Sequence, residues 1–597
     1  MPDANPLLDD RDVDFLLYAV HDATALCALP AFAMHGRETF DLTLQTMRRM
    51  ARGVFFPAYR AADAQPPTLR DGRVALHPSM RAMFTAMAEA GVLAATRPFA
   101  VGGQQLPSLV NTAAGAYLCA ANCAGAGLAM LTTEAAHLIE SFGDDALRAR
   151  YMTALYEGRM TGTMALTEPH AGSSLGDITT RATPAPDGTY RISGSKIFIS
   201  GGEHDLTDNI VHMVLARIDG APPGSRGVSL FCVPKLRPEG EREVPNDVQC
   251  AGVLHKIGWR ALPSVVLSFG EAGDCHGWLV GREGRGLPQM FQMMNAARIG
   301  VGMSAAAKAC GAYHEALRYA RERPQGRGLS ARDAQGPQAP ITAHADVRRM
   351  LLRQKAIAEG ALSLALEAAR LADLAEHLPD DDGRARARML LDLLTPVVKT
   401  FPAERGFEAT ALAVQVHGGY GYTTEYLPEL WMRDQKLNSI HEGTTGIQGL
   451  DLLGRKVVAG GGEALRLWSE RVAEATAQAR AAGVEDAWCA ALDEAVTDVS
   501  TLTMELGARG LSGDLDGMLG HSADYLELFS VVCIAWQWMR QAAAARARLG
   551  AGDDGFYRAK LRAAQYWLRT ELPRVKHLAA LCRDAEDSYL GLDTDWL

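Results

Sequence analysis

The chain has 597 residues, more than one hydrophobic core organises, so several domains are expected. Apolar residues make up 48% and charged residues 22%, an ordinary balance for a soluble globular protein. Lys and Arg number 60 against 70 Asp and Glu, a net charge of -10, and no long basic run occurs, which argues against nucleic acid as a partner.

The 10 cysteines are scattered without a CxxC pair, and Cys119 and Cys123 sit at helical spacing in an apolar stretch. Buried free thiols in a reducing compartment are expected, not a disulfide framework or a zinc site. The 16 histidines show no HExxH or other metal spacing, so no metal is expected. The acidic start, MPDANPLLDDRDVDF, lacks both the basic-then-apolar pattern of a secretion signal and the Arg-rich pattern of a mitochondrial presequence. A cytoplasmic location is the expectation.

In chain order, residues 1–38 read as a leader, with Phe15, Leu16, Val20 and Ala23 on one helical face and a break near Pro30. Residues 39–159 read as mainly helical, from apolar residues at three- and four-residue spacing. Within them, Val101 to Thr133 carries no charge and is long enough to span a bilayer. Its Gln104, Gln105, Pro107, Asn111 and Asn122, with many Gly and Ala, predict instead a buried helix packed through small residues. No integral membrane association is expected.

Residues 160–285 change character. Runs such as TYRISGSKIFIS, NIVHMVLARI and GVSLFCVPKL alternate with turn clusters, which predicts a small antiparallel β domain. From 286 to 458 long amphipathic patterns return and predict a four-helix antiparallel bundle. The segment from Met389 to Gly419 supplies its third and fourth helices, and a Gly/Pro/Gln-rich loop at 324–342 separates the first two. Residues 463–597 read as an additional helical domain with no motif of chemical content, the apolar run 526–539 being core.

Six stretches carry possible chemistry. In KLNSIHEGTTGIQ (436–448) a carboxylate, Glu442, is followed by glycine, which suits a loop that aims a side chain and lets a ligand approach the main chain. Upstream lies the Gly-rich turn QVHGGYGY (415–422). In MALTEPHAGS (164–173) a strand runs into a proline and then a small turn whose N–H groups suit anionic oxygens. In KIFIS (196–200) period-two alternation points Phe198 and Ser200 the same way. Asn295-Ala-Ala-Arg298 opens the first bundle helix, and Arg321-Glu322-Arg323 ends it. Gly300-Val-Gly-Met-Ser-Ala305 imitates a dinucleotide fingerprint but follows a helical pattern and lacks the βαβ context.

The run from Gln415 to Gln448 resembles the C-terminal signature of the acyl-CoA dehydrogenase family, and the resemblance spans roughly residues 40–455. The added leader and C-terminal region look like the longer bacterial branch, which includes methylthiopropanoyl-CoA dehydrogenases and medium- to long-chain enzymes. The implied fold is α+β: an N-terminal helical domain, a middle antiparallel β domain and a C-terminal four-helix bundle, here with an extra helical domain. The implied activity is FAD-dependent dehydrogenation of an acyl-CoA to a trans-2-enoyl-CoA. Glu442 would take the α-proton and flavin N5 the β-hydride, with electrons passed to electron-transferring flavoprotein by a homodimer.

The resemblance implies further roles residue by residue. Met164, Leu166, Thr167, Ser173, Phe198 and Ser200 would cradle the flavin, with Ser173 also at the substrate edge. Arg323 would reach the FAD pyrophosphate of a neighbouring subunit, while Gln415 and Gly419 hold its adenosine half. Thr444 would touch the flavin, and Arg298 and Gly443 the substrate. The chain departs from the pattern at Ser174, where aspartate is usual, at Gly326, where a phenylalanine often meets the adenine, and at Gly446, where glutamine is usual. An acyl-CoA oxidase and a DNA-associated flavoprotein of the same fold are the competing readings.

Overall fold

The computed structural model describes residues 5–328, 335–550, 552, 554–585, 587–589 and 591–597, and leaves the side chains of residues 292–294 undescribed. The first four residues of the expected leader and residues 329–334 of the expected 324–342 loop lie outside the described residues. The main helices are α1 Arg37–Met50, α2 Phe56–Ala64, α3 Pro78–Glu89, α4 Ser108–Phe142, α5 Gly286–Glu322, α6 Ala345–His377, α7 Asp381–His417, α8 Pro428–Lys436 and α9 Thr445–Asp451. After them come α10 Glu463–Ala481, α11 Asp486–Leu511, α12 Ser522–Arg546, α13 Asp554–Tyr566 and α14 Arg574–Asp584. The strands are β1 Thr68–Arg70, β2 Arg73–Ala75, β3 Thr161–Ala165, β4 Arg181–Pro184, β5 Tyr190–Ser200 and β6 Ile210–Ile218. They continue as β7 Val228–Pro234, β8 Leu236–Glu239, β9 Arg242–Pro245, β10 Val248–Val253, β11 Ser264–Phe269 and β12 His276–Leu279.

The chain divides into two compact units. One comprises residues 42–106 and 121–297. Its centre is an 8-stranded sheet in the order β10-β11-β5-β12-β7-β6-β3, with β4 against both β5 and β6. The expected all-antiparallel domain is thereby corrected, because β3 and β4 each run parallel to β6. Strand β6 is buried on both faces. Val211, Met213 and Leu215 pack among helical residues such as Leu138, Ile139 and Tyr151, while Val214 and Ala216 pack with Ile192, Phe231 and Val265. Two-sided burial is why β6 reads as an unbroken apolar run.

A β1–β2 hairpin interrupts the segment expected to be helical. Its turn residues Asp71 and Gly72 both have positive φ (50° and 75°), the backbone that two-residue hairpins favour. Short strands β4, β8, β9 and β10 were not foreseen either. They are charged or half-exposed, so no apolar alternation announces them.

The other unit comprises residues 1–41, 107–120 and 298–597. Here the expected third and fourth bundle helices are one: α7 runs through Pro396 and Pro402 without ending. A proline cannot donate to the carbonyl four residues back, so Pro402 leaves Val398 O without its helical partner. Gly302 of α5 packs against that carbonyl so closely that a Cβ would stand 2.1 Å from it. Tight α5–α7 packing thus covers that carbonyl, and the helix continues through both prolines.

The C-terminal region belongs to this same unit. Gly360 of α6 admits Ile534 and Trp538 of α12, and Trp538 Nε1 donates to Ala356 O at 3.0 Å. The buried Lys560 of α13 donates to Glu359 (2.7 Å) and Gln541 (3.1 Å) and pairs with Asp12 of the leader. Residues 526–539 are buried along most of their length, as expected of a core helix. Helix α4 meets the length and composition test for crossing a membrane, yet 83% of its most apolar window is buried inside the structure. Cys232, Cys275, Cys310, Cys489, Cys533 and Cys582 are buried thiols.

Candidate active site

In the sheet unit, β3 delivers Met164, Leu166 and Thr167, all partly buried, and the turn beyond it leaves Ser173 exposed. Between them Glu168 is buried, and its two carboxylate oxygens accept five hydrogen bonds. Thr179 N and Oγ1 (both 2.7 Å), Thr180 N (2.9 Å) and Oγ1 (2.6 Å), and Lys196 Nζ (2.9 Å) are the donors. Lys196, itself fully buried, also donates to Leu166 O at 3.0 Å. Burial opposes the Glu168 charge, but Lys196 and the threonines hold its pKa down at about 2. Burial likewise lowers Lys196 to about 8, with Glu168 resisting. The pair is ionised at neutral pH and locks the 166–168 segment to β5.

Strand β5 is irregular where it meets this segment. Lys196 pairs with Leu267 and Ile199 with Val265, so Ile197 and Phe198 together oppose the single Val266. This is a β-bulge, with Phe198 at φ 62° and 62% exposed. The simple alternation is interrupted between Lys196 and Phe198: Lys196 and Ile199, three apart, are the buried ones, while Phe198 and Ser200, on either side of Ile199, are more exposed. An aromatic residue held in the left-handed region and left bare is a strained feature of the kind that clusters at ligand sites. Ile197 N donates to Thr167 O at 2.9 Å, which sets Thr167 beside the bulge.

In the helical unit, Glu442 and Gly443 form a turn with φ values of 53° and 88° between α8 and α9. Thr444 caps α9, its Oγ1 accepting from Ile447 N at 3.4 Å. Gln448 Nε2 donates to Glu442 O at 2.9 Å and Lys399 Nζ to Gly443 O at 2.6 Å. Burial raises the Glu442 pKa above its ordinary value, with Arg298 and then Lys399 pulling the other way. Arg298 is buried and donates to Asp451 at 3.0 Å, which Arg455 also pairs at 2.9 Å. The neighbouring His441 is driven to about 3 by burial, then by Lys399 and Lys308, so it is neutral at physiological pH.

The same unit holds a cavity of about 470 Å³ lined in part by Tyr319, Arg323, His417, Gly419 and Tyr420. Arg323 lies over the Tyr420 ring at 5.5 Å, and Tyr319 stacks on His417 at 4.3 Å. His417 is 2% exposed; its Nδ1 meets Ala413 O at 2.8 Å, and its Nε2 has no hydrogen-bond partner among the described residues. Gln415 is exposed one turn before Gly419.

Four family models tile the chain: "Acyl-CoA dehydrogenase, N-terminal domain" over residues 41–159, "middle domain" over 163–271, "C-terminal domain" over 284–457, and "Acetyl-CoA dehydrogenase C-terminal like" over 468–593. The chain belongs to the acyl-CoA dehydrogenase family. It is 36% identical to the 3-methylmercaptopropionyl-CoA dehydrogenase of Ruegeria pomeroyi, over 97% of this chain and 98% of the relative. It is 34% identical to the broad-specificity linear acyl-CoA dehydrogenase FadE5 of Mycobacterium tuberculosis, over 98% of each. Among solved structures, Caenorhabditis elegans ACDH-11 in complex with C11-CoA shares the fold with a TM-score of 0.75 at 20% identity, covering 98% of this chain and 96% of that one. An acyl-CoA dehydrogenase from Bacillus anthracis complexed with FAD does so with a TM-score of 0.74 at 18% identity, covering 98% and 92%.

As a member of this family the chain is an FAD-dependent oxidoreductase acting on acyl-CoA, and the residues present fit that cofactor. The bare Phe198 ring beside Thr167 offers a face to a flat ring. The aromatic cavity offers Arg323 for a phosphate and stacking surfaces plus the unpartnered His417 Nε2 for a base. Tyr319 and Tyr420 are aromatic residues of that lining. Sequence reasoning missed Glu168, Lys196, Lys399 and His417. In sequence Lys196 and Lys399 look like solvated charges, and only burial marks them.

Proposed function

We propose that Glu442 is the base that removes the α-proton of the acyl-CoA thioester. The observation that carries this reading is a carboxylate in a strained turn, made more basic by burial and flanked by two buried cations that keep its ionised form accessible. Bound FAD supplies the acceptor for the β-hydride. The cradle that the family pattern assigns to it comprises Met164, Leu166, Thr167, Ser173, Phe198, Ser200 and Thr444. Gly443 and Arg298 serve the thioester side. The electrons leave to an electron-transferring flavoprotein. Hydrogen peroxide release in air on adding acyl-CoA would favour an oxidase instead.

The base must be ionised to act, so kcat rises with pH through the Glu442 pKa. Because that pKa is raised, the acid limb is expected above about 4.3, the ordinary glutamate value. A pH profile of kcat at saturating acyl-CoA checks this. The panel should include 3-methylmercaptopropionyl-CoA and straight-chain thioesters, the substrates for which the two full-length relatives are named.

Arg323 and Gly419 serve the cofactor of a second copy, which makes the working enzyme at least a dimer. Arg323→Ala and Glu442→Gln subunits, each inactive alone, are then expected to regain activity when mixed and reassembled, because one hybrid site has both residues intact. A mixture that stays inactive although hybrids form would contradict this.

A further inference from the structure

We propose that Lys399 is a positioning residue for the base: together with Gln448 it clamps the consecutive carbonyls of Glu442 and Gly443 and so fixes where the Glu442 carboxylate points. The inference rests on the reading of Glu442 as base and deepens it.

Lys399 lies inside α7 between Pro396 and Pro402 and is fully buried. A buried ammonium is costly unless bonded, and a residue such as Met would serve packing better. Its hydrogen-bond acceptor is no carboxylate but the neutral carbonyl of Gly443, at 2.6 Å. Gln448, also fully buried, holds the carbonyl one residue earlier at 2.9 Å. Glycine at 443 is a condition of this clamp, since a Cβ there would stand 2.6 Å from Gln448 Nε2. The turn needs holding. Glu442 is a non-glycine residue at φ 53°, a conformation that persists where its surroundings over-determine it.

The charge has a second effect. The groups that bear on Glu442 are Arg298 from α5 and Lys399 from α7. Arg298 is already shared with Asp451 of α9. Glu404, further along α7, faces Lys399 and accepts from Thr445. Lys308 of α5 and Lys399 both keep His441 neutral. Lys399 thus spends its hydrogen bond on a neutral group and leaves its field to the Glu442 carboxylate. Burial brings its own pKa to about 8, Glu404 and Glu442 opposing, so it is charged at neutral pH.

The test compares Lys399→Met, Lys399→Arg, Gln448→Leu and Glu442→Gln holoenzymes by flavin content, melting temperature, KM, kcat and the pH profile of kcat. Lys399→Met is expected to keep flavin and KM, lower kcat ~10–100-fold through misplacement of the base, and move the acid limb up by about one pH unit. Lys399→Arg should restore the limb and part of kcat. Gln448→Leu should lower kcat and leave the limb in place, and it decides the clamp if Lys399→Met does not fold. Wild-type kcat and limb in Lys399→Met, or a loss of kcat with no limb shift and no rescue by Arg, would overturn the proposal. If Glu442→Gln is inactive in the same series, only the clamp has failed; if it turns over normally, the reading of the base has failed first.

Discussion

Glu442→Gln is expected to lower kcat by ~10² to 10⁴, the usual contribution of a positioned base, with flavin content and melting temperature unchanged. The amide has nearly the shape of the acid but no basic lone pair of matching strength. The clamp on the Glu442 and Gly443 carbonyls is made by the main chain and does not depend on the side chain. Burial raises the Glu442 pKa, so removing the charge relieves a desolvation cost, and the variant should not be less stable. Steady-state turnover with a dye acceptor, beside the absorbance of bound flavin, measures both halves of this expectation.

The second large effect is expected at Lys196. Lys196→Met leaves the buried Glu168 carboxylate without its counter-ion, and breaking a buried pair from one side costs about 3–5 kcal/mol. The loss should be local in its consequence, because Lys196 also holds Leu166 O and so the segment carrying Leu166 and Thr167. The variant is expected to melt earlier and to be purified with little flavin. Removing both charges, as Glu168→Gln with Lys196→Met, should recover part of the melting temperature but not the flavin, since the Leu166 tether stays lost. Thermal melting and flavin-to-protein ratios on the single and double variants check this. Full flavin content in Lys196→Met would refute the tether.

The contrast between these two sites shows what a sequence discloses. The turn around Glu442 was legible because it is local: the acid, the following glycine and the capping threonine are contiguous, and each has a turn or cap to form. The helix-sheet-helix order was legible for the same reason, as was the burial of Val101 to Thr133, since small residues and amides mark a packed helix. Lys196 was not, because alternation in a regular strand would relate it to Phe198 and Ser200, and only the bulge at Ile197–Phe198 separates its environment from theirs. Helix α7 was read in the sequence as two helices, and its prolines are ordinarily helix breakers. It stays whole in a setting the sequence does not show locally: Gly302, nearly a hundred residues away in the chain, packs onto the carbonyl that Pro402 leaves free. The β1–β2 hairpin did carry a local signal, Asp71-Gly72, but its strands are three residues each and partly exposed. The cavity aromatics Tyr319 and Tyr420 lie on different elements, so no spacing rule joins them.

The central claim is that the Glu442 carboxylate takes the α-proton. Single-turnover bleaching of the bound flavin by an acyl-CoA and by its 2,2-dideuterated form, without oxygen, tests it most directly. The account predicts that deuterium slows bleaching several-fold in the wild type and that Glu442→Gln, loaded with flavin and substrate, does not bleach on the same timescale. Bleaching of Glu442→Gln at the wild-type rate, or no isotope effect in a wild type whose bleaching is limited by chemistry, would contradict it.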